Sequence, residues 1–326
     1  MAELSYLAAS LAALAEEMRR DPDVWTLGED LGRGGVFGQY RGLIEEFGPA
    51  RVADTPISEA CIMGAAVGAA LMGTRPVVEM RFSDFALCAV DELVNQAAKA
   101  RYMFGGQARV PLVVREPIGM WRSSAAQHSQ SLEAWYIHVP GLVVVTPSTP
   151  ADNYALLKAA IRADDPVVYM EHKDLWGLLG EVVDGTEGQL GRARIVRQGT
   201  DVTVVSWSAM VHETAKAVAL AAGREIAVEL IDLCTLWPWD QEMVLSSVRR
   251  TGRLLVVHEA VQAGGFGAEI AATVAEELFG ELRAPVRRLG APRIPIGYAP
   301  PLEDQAKIFA ERDILPAIMA LTERDR

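Results

Sequence analysis

The chain has 326 residues, 50% of them hydrophobic and 23% charged, which is enough for two soluble domains with buried cores. Its net charge of −12 disfavours nucleic acid, which requires a basic surface, and favours small molecules or a basic protein partner. The longest apolar stretch, residues 61–73, is too short to span a bilayer, and the first residues lack a basic segment followed by an apolar core. We therefore expect a cytoplasmic protein that associates with neither membrane nor nucleic acid.

The first half of the chain alternates helical patterns with short runs rich in Val, Ile and Leu. Residues 5–20 show the stripe of an amphipathic helix, and further helices are predicted near 58–72, 84–103 and 151–162. The predicted strands are Val24–Leu27, Pro76–Met80, Val110–Arg115, Leu142–Thr146 and Val167–Met170. Strands that are apolar on both faces and joined by helices indicate a mainly parallel sheet in an α/β domain.

A polar, glycine-bearing stretch then interrupts this alternation, which resumes beyond it. The later predicted strands are Val202–Ser206, Ala227–Leu233, Arg253–His258 and Pro285–Leu289, with helices near 210–222, 240–250, 266–279 and 302–321. The predicted fold class is therefore α/β with two domains, each a mainly parallel sheet flanked by helices. We place the domains at residues 1–180 and 192–326, with 181–191 as the linker.

The segment from Glu116 to Ser131 is a long predicted loop within an otherwise compact domain. Loops of this length are uncommon unless they form a lid or the wall of a site. His128 lies in this loop, flanked by glutamines and serines. A lone loop histidine is more often structural than catalytic, but this setting makes His128 the strongest candidate among the five histidines.

Two glycine clusters suggest nucleotide binding but fit it poorly. Residues 32–38 are not followed by the expected helix and acid, and residues 264–267 lack the full dinucleotide pattern. We interpret both as turns or sites of close packing. The three cysteines, Cys61, Cys88 and Cys234, are far apart, so the sequence predicts neither a disulfide framework nor a zinc site.

Glu59 is the most informative acid, because it begins a predicted helix whose next residues, 61–73, are all small or apolar. We expect this setting to shield the carboxyl group from water, and desolvation would help it to hold or share a proton. The alternative is an ordinary acid that stabilises the positive end of a helix dipole, with Ser58 as the cap. Taken alone, Glu59 leaves both interpretations open.

Ordered sequence landmarks along nearly the whole chain carry a family resemblance. The chain resembles the beta subunit of the thiamine-diphosphate-dependent decarboxylase component of 2-oxo acid dehydrogenases (pyruvate, acetoin and branched-chain types), within the transketolase-like family. The landmarks are Gly28-Glu-Asp-Leu-Gly, Asp54-Thr-Pro-Ile-Ser-Glu-Ala, Arg75-Pro-Val-Val-Glu, Asn95-Gln-Ala-Ala-Lys, Gln127-His-Ser-Gln-Ser, Pro140-Gly-Leu-Val-Val-Val-Thr-Pro-Ser, Asp165-Pro-Val-Val, Val257-His-Glu-Ala and Gly264-Gly-Phe-Gly-Ala-Glu. The resemblance implies a pyrimidine-binding domain followed by a transketolase C-terminal domain.

The same resemblance implies roles for individual residues. Glu59 would hydrogen-bond a ring nitrogen of the cofactor's aminopyrimidine, Phe85 would stack on that ring, and Ile57 would pack beside it. His128 would assist transfer of the acyl group to a lipoyl arm. Several relatives also hold potassium with backbone carbonyls, and the corresponding positions here are Leu112, Ala160, Ala163 and Asp165.

The chain lacks the Gly-Asp-Gly and following Asn that hold magnesium and the diphosphate in this cofactor class. Relatives carry that motif on an alpha subunit, so the resemblance implies an α2β2 assembly in which alpha holds the magnesium. It also implies a lipoyl acyltransferase core as a second partner. Two departures from relatives, Arg81 and Arg122, are candidates for binding a substrate carboxylate. The loop around His128, with Trp135, favours pyruvate or acetoin over branched substrates.

Two other functions compete with this interpretation. The chain could be the C-terminal half of a split transketolase-like enzyme that acts on sugars, although the expected phosphate-binding residues are not evident. It could also be a scaffold chain that has kept the fold and lost the chemistry. The presence of Glu59, Phe85 and His128 argues against a scaffold.

Overall fold

A computed structural model of the chain describes residues 1–323. These form two compact units. The first consists of Met1–Ile118 with Trp135–Leu190, and the second of Gly119–Ala134 with the chain from Gly191 onward.

The chain up to Leu190 contains eight strands and seven α-helices among the described residues. The strands are β1 Ala2–Ser5, β2 Val24–Glu29, β3 Val52–Thr55, β4 Arg75–Glu79, β5 Val113–Ile118, β6 Val143–Val145, β7 Val167–His172 and β8 Leu179–Val182. The helices are α1 Tyr6–Arg20, α2 Leu43–Phe47, α3 Glu59–Leu71, α4 Ser83–Ala86, α5 Ala98–Met103, α6 Glu133–Ile137 and α7 Pro150–Arg162. A small antiparallel pair, β1 with β8, lies apart from the main sheet.

The main sheet of the first unit runs in the order β6-β7-β5-β4-β2-β3, and every neighbouring pair is parallel. Every residue of β5 and β7 is buried, as expected for strands covered on both faces. Glu29 pairs with Thr55, and Gly28 pairs with Glu79, so β2, β3 and β4 end together. The segments that leave these three strands therefore meet at one edge of the sheet, where ligand sites form in open α/β folds.

The second unit has a five-stranded sheet in the order β14-β13-β10-β11-β9, parallel except for the edge strand β9. The strands of this sheet are β9 Arg194–Arg197, β10 Val202–Ser206, β11 Val228–Asp232, β13 Leu254–Val261 and β14 Arg287–Ala291, and a further short strand, β12 Thr235–Trp237, is not part of it. The helices are α8 Met210–Ala222, α9 Gln241–Thr251, α10 Gly267–Glu277, α11 Pro300–Ala306 and α12 Leu315–Thr322. Apolar residues of α8 and α12 pack on the buried strands.

Two long predicted helices are interrupted in the structure. The 84–103 helix contains a short 3-10 segment at Leu87–Ala89 and a π-helical segment at Glu92–Ala97 before α5. The 302–321 helix breaks between α11 and α12, where Phe309 is extended and its N–H donates to the Asp313 carboxylate at 2.9 Å. A local side-chain cap thus starts a new helical segment where periodicity alone predicted continuity.

Among the described residues, five short strands were not predicted: β1, β3, β8, β9 and β12. Each has only three or four residues and carries charged or exposed positions, so none shows the apolar run that marks a buried strand. Through Glu323, no helix is long and apolar enough to cross a membrane. The three cysteines are free thiols.

Candidate functional site

Two acids, Glu29 and Glu59, come together at the carboxyl edge of the first sheet. Glu29 is the last residue of β2, and Glu59 follows the neighbouring strand β3 by four residues and begins α3. Burial raises the pKa of Glu29, and the negative charge of Glu59 raises it further, while Arg81 opposes the shift. A second carboxyl group beside Glu59 thus belongs to this edge, and its charged form is disfavoured there.

Glu59 itself is half-buried, not fully shielded as the apolar sequence after it predicted. The apolar run that follows it is also not buried on all sides, because Cys61, Gly64 and Gly68 lie on an exposed face of α3. Ser58 also differs from prediction, because its side chain caps no helix N–H and instead donates to the Pro56 carbonyl at 3.1 Å. The acid thus remains accessible to a ligand at this edge.

Phe85 and Ile57 present apolar surface in the first unit. Ile57 is 78% exposed, on the turn between β3 and α3. Phe85 is half-buried, and its ring centroid lies 6.0 Å from that of the buried Phe82. One side of Phe85 is thus anchored while part of its ring stays open, which suits an aromatic that stacks on a flat ligand.

Arg81 already has a carboxylate partner within the chain. Its Nη1 donates to Asp30 Oδ2 at 2.5 Å, and both side chains are partly exposed. Asp30 directly follows Glu29 and has a left-handed backbone with φ of 60°. A substrate carboxylate at Arg81 would therefore join or displace Asp30.

The glycine cluster at residues 32–38 forms a tight turn bonded to the adjacent strand. Beyond it, the Tyr40 hydroxyl and the Gln39 amide donate to the Glu79 carboxylate at 2.7 and 3.2 Å. Burial raises the pKa of Glu79 to about 7. Gly34 and Gly35 have φ of 88° and 76°, values that favour glycine. The cluster thus shapes the wall of the site.

The second glycine cluster packs against a buried histidine. A Cβ placed on Gly265 or Gly267 would lie within 2.7 or 2.8 Å of the His258 ring. His258 stacks on Trp207 at 5.1 Å, and its Nδ1 is 3.0 Å from the Ala260 carbonyl. Close packing on an imidazole accounts for these two glycines.

His128 and Arg122 belong to the second unit, on the segment from Gly119 to Leu132. Arg122, Ser123 and Ala125 all have left-handed backbones, with φ of 48°, 57° and 65°. Such strain in non-glycine residues is uncommon and clusters at functional sites. His128 is half-buried, and Arg122 is exposed, with its guanidinium over Trp121 at 5.0 Å.

Glu259 braces the segment that carries His128. The Met120 N–H donates to Glu259 Oε1 at 2.8 Å, and the Ser131 hydroxyl donates to the same oxygen at 3.3 Å. A cavity of about 560 Å³ lies between this segment and residues 291–296. Its lining includes Glu259 and the buried Ser129. The long loop therefore forms the wall of a cavity, as its length predicted.

The four residues at the potassium-related positions lie in the first unit. The Leu112 and Ala160 carbonyls accept backbone hydrogen bonds at 2.8 and 3.2 Å. The Ala163 carbonyl accepts from Arg75 Nη1 at 2.9 Å. Arg75 thus already brings a positive charge to one of these carbonyls, and the Asp165 carboxylate pairs with a second arginine.

Two family models cover most of the chain. The model described as the transketolase pyrimidine-binding domain matches residues 2–177, and that described as the transketolase C-terminal domain matches residues 191–312. The solved structure titled "Split gene transketolase, inactive beta4 tetramer" has a TM-score of 0.79 and 22% identity, and the match covers 99% of each chain. The protein is therefore transketolase-like in fold.

Curated relatives define the family more narrowly. The acetoin:2,6-dichlorophenolindophenol oxidoreductase subunit beta of Cupriavidus necator is 45% identical, and the match covers 93% of each chain. The 2-oxoisovalerate dehydrogenase subunit beta of Bacillus subtilis is 42% identical over 93% of this chain and 94% of its own. The pyruvate dehydrogenase E1 component subunit beta of Rhizobium meliloti is 43% identical over 94% of this chain and 67% of its own. The chain belongs to the family of thiamine-diphosphate-dependent 2-oxo acid dehydrogenase beta subunits.

These relationships confirm the predicted family, fold class and dehydrogenase function, and favour them over a split transketolase acting on sugars. The structure also adds residues that sequence reasoning did not single out, notably Glu29, Asp30 and Glu259. All three lie within the sequence landmarks, but only the strand ends and hydrogen bonds of the structure reveal their neighbours. Asp30 belongs to the candidate site because its carboxylate accepts a hydrogen bond from Arg81.

Proposed function

We propose that this chain supplies the aminopyrimidine side of a thiamine diphosphate site in a dehydrogenase that decarboxylates a 2-oxo acid. One observation carries the proposal: Glu29 and Glu59 converge at the carboxyl edge of the first sheet. The half-open Phe85 ring lies on the segment that leaves the neighbouring strand β4. An acid for a ring nitrogen and an aromatic face for stacking fit an aminopyrimidine.

Thiamine diphosphate, when bound, supplies the carbon nucleophile and the electron sink for decarboxylation. Glu59 would hydrogen-bond the pyrimidine nitrogen and hold a proton there, and Glu29 places a second carboxyl group at the same sheet edge. Phe85 orients the ring from one face, and Ile57 adds apolar contact and excludes water.

His128 is proposed to act later, as the acid that assists transfer of the acyl group to a lipoyl arm. The strained backbone at residues 122–125 and the hydrogen bonds to Glu259 support a fixed position for its loop. The lipoyl arm would belong to an acyltransferase core. The acidic chain suits a basic docking domain, whose attraction should weaken with salt.

An alpha subunit completes the assembly, in line with the subunit names of the relatives. We propose an α2β2 complex in which alpha binds magnesium and the diphosphate, because this sequence lacks the motif for both. The isolated chain should then bind the cofactor weakly. Titration of the chain alone and of the complex tests this, and tight binding with full turnover by the chain alone would contradict it.

Pyruvate is the proposed substrate, on the strength of the Gln127-His-Ser-Gln loop with Trp135. Arg81 and Arg122 are the proposed contacts for its carboxylate. The absence of a membrane-spanning helix among the described residues is compatible with the proposed cytoplasmic location. Potassium at Leu112, Ala160, Ala163 and Asp165 stays a prediction, which a comparison of melting temperature in potassium and tetramethylammonium salts would test.

The experiment that tests the function is reconstitution with the alpha subunit followed by cofactor-dependent dye reduction. Pyruvate, acetoin and branched 2-oxo acids should be compared at equal concentration. We expect turnover that requires added thiamine diphosphate and is highest with pyruvate. A complex that assembles but reduces dye with none of these substrates would instead support the scaffold alternative.

A further inference from the structure

Lys173 is a buried cation near the candidate site. It directly follows β7, is only 1% exposed, and lies in a short 3-10 turn. The turn begins where His172 Nδ1 accepts the Asp174 N–H at 3.1 Å. Burying an ammonium group is costly unless its surroundings compensate. The aromatic surface beside the ammonium group is one such surrounding.

The ammonium group lies over an aromatic face. Lys173 Nζ is 4.4 Å from the centroid of the Phe82 ring, within the range of a cation–π contact. Phe82 is itself buried and follows β4, two strands away from β7 in the sheet order. Through Phe82, Lys173 thus connects the end of β7 to the segment that carries Arg81 and Phe85.

Phe82 is one of the two inner rings in a row of four aromatic side chains. The ring centroids of Trp176 and Phe37 are 4.4 Å apart, those of Phe37 and Phe82 are 6.4 Å apart, and those of Phe82 and Phe85 are 6.0 Å apart. Adjacent rings are tilted by 39° or 40°, so they pack at an angle and restrain one another. Phe37 comes from the glycine-rich turn, which adds a third attachment for Phe82.

We propose that Lys173 and Phe82 are positioning residues for Phe85: the ammonium fixes the Phe82 ring, and that ring sets the orientation in which Phe85 meets the aminopyrimidine. The inference rests on the proposed function, because it assumes that Phe85 stacks on the cofactor. Neither positioning residue needs to touch the cofactor. The effect of losing one should therefore appear in cofactor binding before it appears in substrate binding.

The test compares Lys173→Met, Lys173→Arg and Phe82→Leu in the complex with the alpha subunit. The measurements are the dissociation constant of thiamine diphosphate, the KM of the 2-oxo acid and the circular dichroism of the bound cofactor. We expect Lys173→Met and Phe82→Leu to weaken cofactor binding by about three- to thirtyfold, with KM changed by less than about twofold. Lys173→Arg should restore most of the affinity, because it keeps a cation over the ring.

Arg312 provides a matched control. Its guanidinium lies 4.6 Å from the centroid of Phe309, also as a cation–π contact, but on an exposed side chain in the second unit. Arg312→Met should leave the cofactor dissociation constant unchanged. Melting temperatures of all variants separate a change in binding from a loss of fold. If Lys173→Met fails to fold, Phe82→Leu decides.

Wild-type affinity and an unchanged dichroism band in both Lys173→Met and Phe82→Leu would overturn the inference. Equal losses in Lys173→Met and Lys173→Arg would also overturn it, because the cation would then be irrelevant. Phe85→Ala separates this result from failure of the proposed function. If Phe85→Ala binds the cofactor as tightly as the wild type does, the proposed site is wrong. If Phe85→Ala loses affinity while Lys173→Met and Phe82→Leu keep it, only the positioning role is wrong.

Discussion

Arg81 and Asp30 form an ion pair at the edge of the sheet that also holds the two acids. The pair is partly exposed, so its net contribution to stability is small. The pair instead fixes the position of the Arg81 guanidinium, which Asp30 holds close to Glu29. The effect of Arg81 in lowering the pKa of Glu29 indicates this nearness. A guanidinium so placed suits recognition of a substrate carboxylate.

Replacing Arg81 with Ala should raise the KM for pyruvate by about tenfold or more, because a charge-assisted hydrogen bond is worth about 1.5–3 kcal/mol. Acetoin has no carboxylate, so its KM should not change, and dye reduction with both substrates measures the difference. Arg122→Ala is the comparison, since Arg122 is exposed and lies over Trp121. Equal effects of Arg81→Ala on pyruvate and acetoin would exclude a carboxylate contact.

His258 makes a pH-dependent contribution to stability. Burial lowers the pKa of His258 to about 4 from its usual 6.5. Below pH 6.5 the unfolded chain gains a proton that the folded chain does not, so stability present above pH 6.5 is lost as the pH falls towards 4. The expected loss is about 2 kcal/mol at pH 5 and about 3 kcal/mol near pH 4. Urea midpoints at pH 7 and pH 5 measure it.

A His258→Phe variant isolates this effect from buried acids. Burial raises the pKa of Glu79 to about 7 and that of Glu116 to about 8. Both acids therefore make the folded chain less stable as the pH rises from 4.5, whereas His258 makes it more stable over the same direction of pH change. The difference between wild type and variant cancels these acids. If the variant loses as much stability between pH 7 and pH 5 as the wild type does, His258 is not the cause of that loss.

At the scale of elements, the packing of α10 against His258 explains a glycine motif that looked like a phosphate-binding turn. A Cβ on Gly267 would lie 2.8 Å from His258 Nε2, so Gly267→Ala should destabilise the chain by about 1–3 kcal/mol. Gly68 is the matched control, since it lies inside α3 with nothing within 4 Å of an added Cβ. Gly68→Ala should stabilise the isolated chain by up to about 1 kcal/mol. Equal urea midpoints for the two variants would contradict this packing.

The elements also show how far sequence reasoning extends. Strand β10 and helix α8 were predicted to the residue, because their apolar patterns are unbroken and their ends are marked by polar residues. The breaks after Ala86 and at Phe309 depend on local hydrogen bonds and helix geometry that periodicity does not encode. Short polar strands such as β3 form only because neighbouring strands provide partners.

The same limit applies to the candidate site. Glu59 and His128 stood out because they lie in landmarks that are recognisable in the sequence, and Phe85 stood out through the family resemblance. The placement of Glu29 and Glu59 at one sheet edge depends on strand order, and the contact of Lys173 with Phe82 depends on which strand ends lie close together. Contacts between residues 30 to 90 positions apart follow from topology, which the sequence pattern leaves open.

At the scale of the whole molecule, the proposed function assigns this chain only part of a cofactor site. On that proposal, Glu29, Glu59 and Phe85 of the first unit serve the pyrimidine, and the second unit contributes the histidine loop held by Glu259. An alpha subunit would hold magnesium and the diphosphate. The names of the relatives, each a beta subunit, agree with this division.

Turnover of Glu59→Gln in the complex with the alpha subunit, at saturating thiamine diphosphate, tests the central claim most directly. Glutamine keeps the size of the side chain but can neither take up nor release a proton at this position. We predict a fall in kcat of about 10²- to 10⁴-fold, as expected for loss of a positioned acid, with assembly and melting temperature retained. A variant that assembles normally and turns over at the wild-type rate would contradict the account.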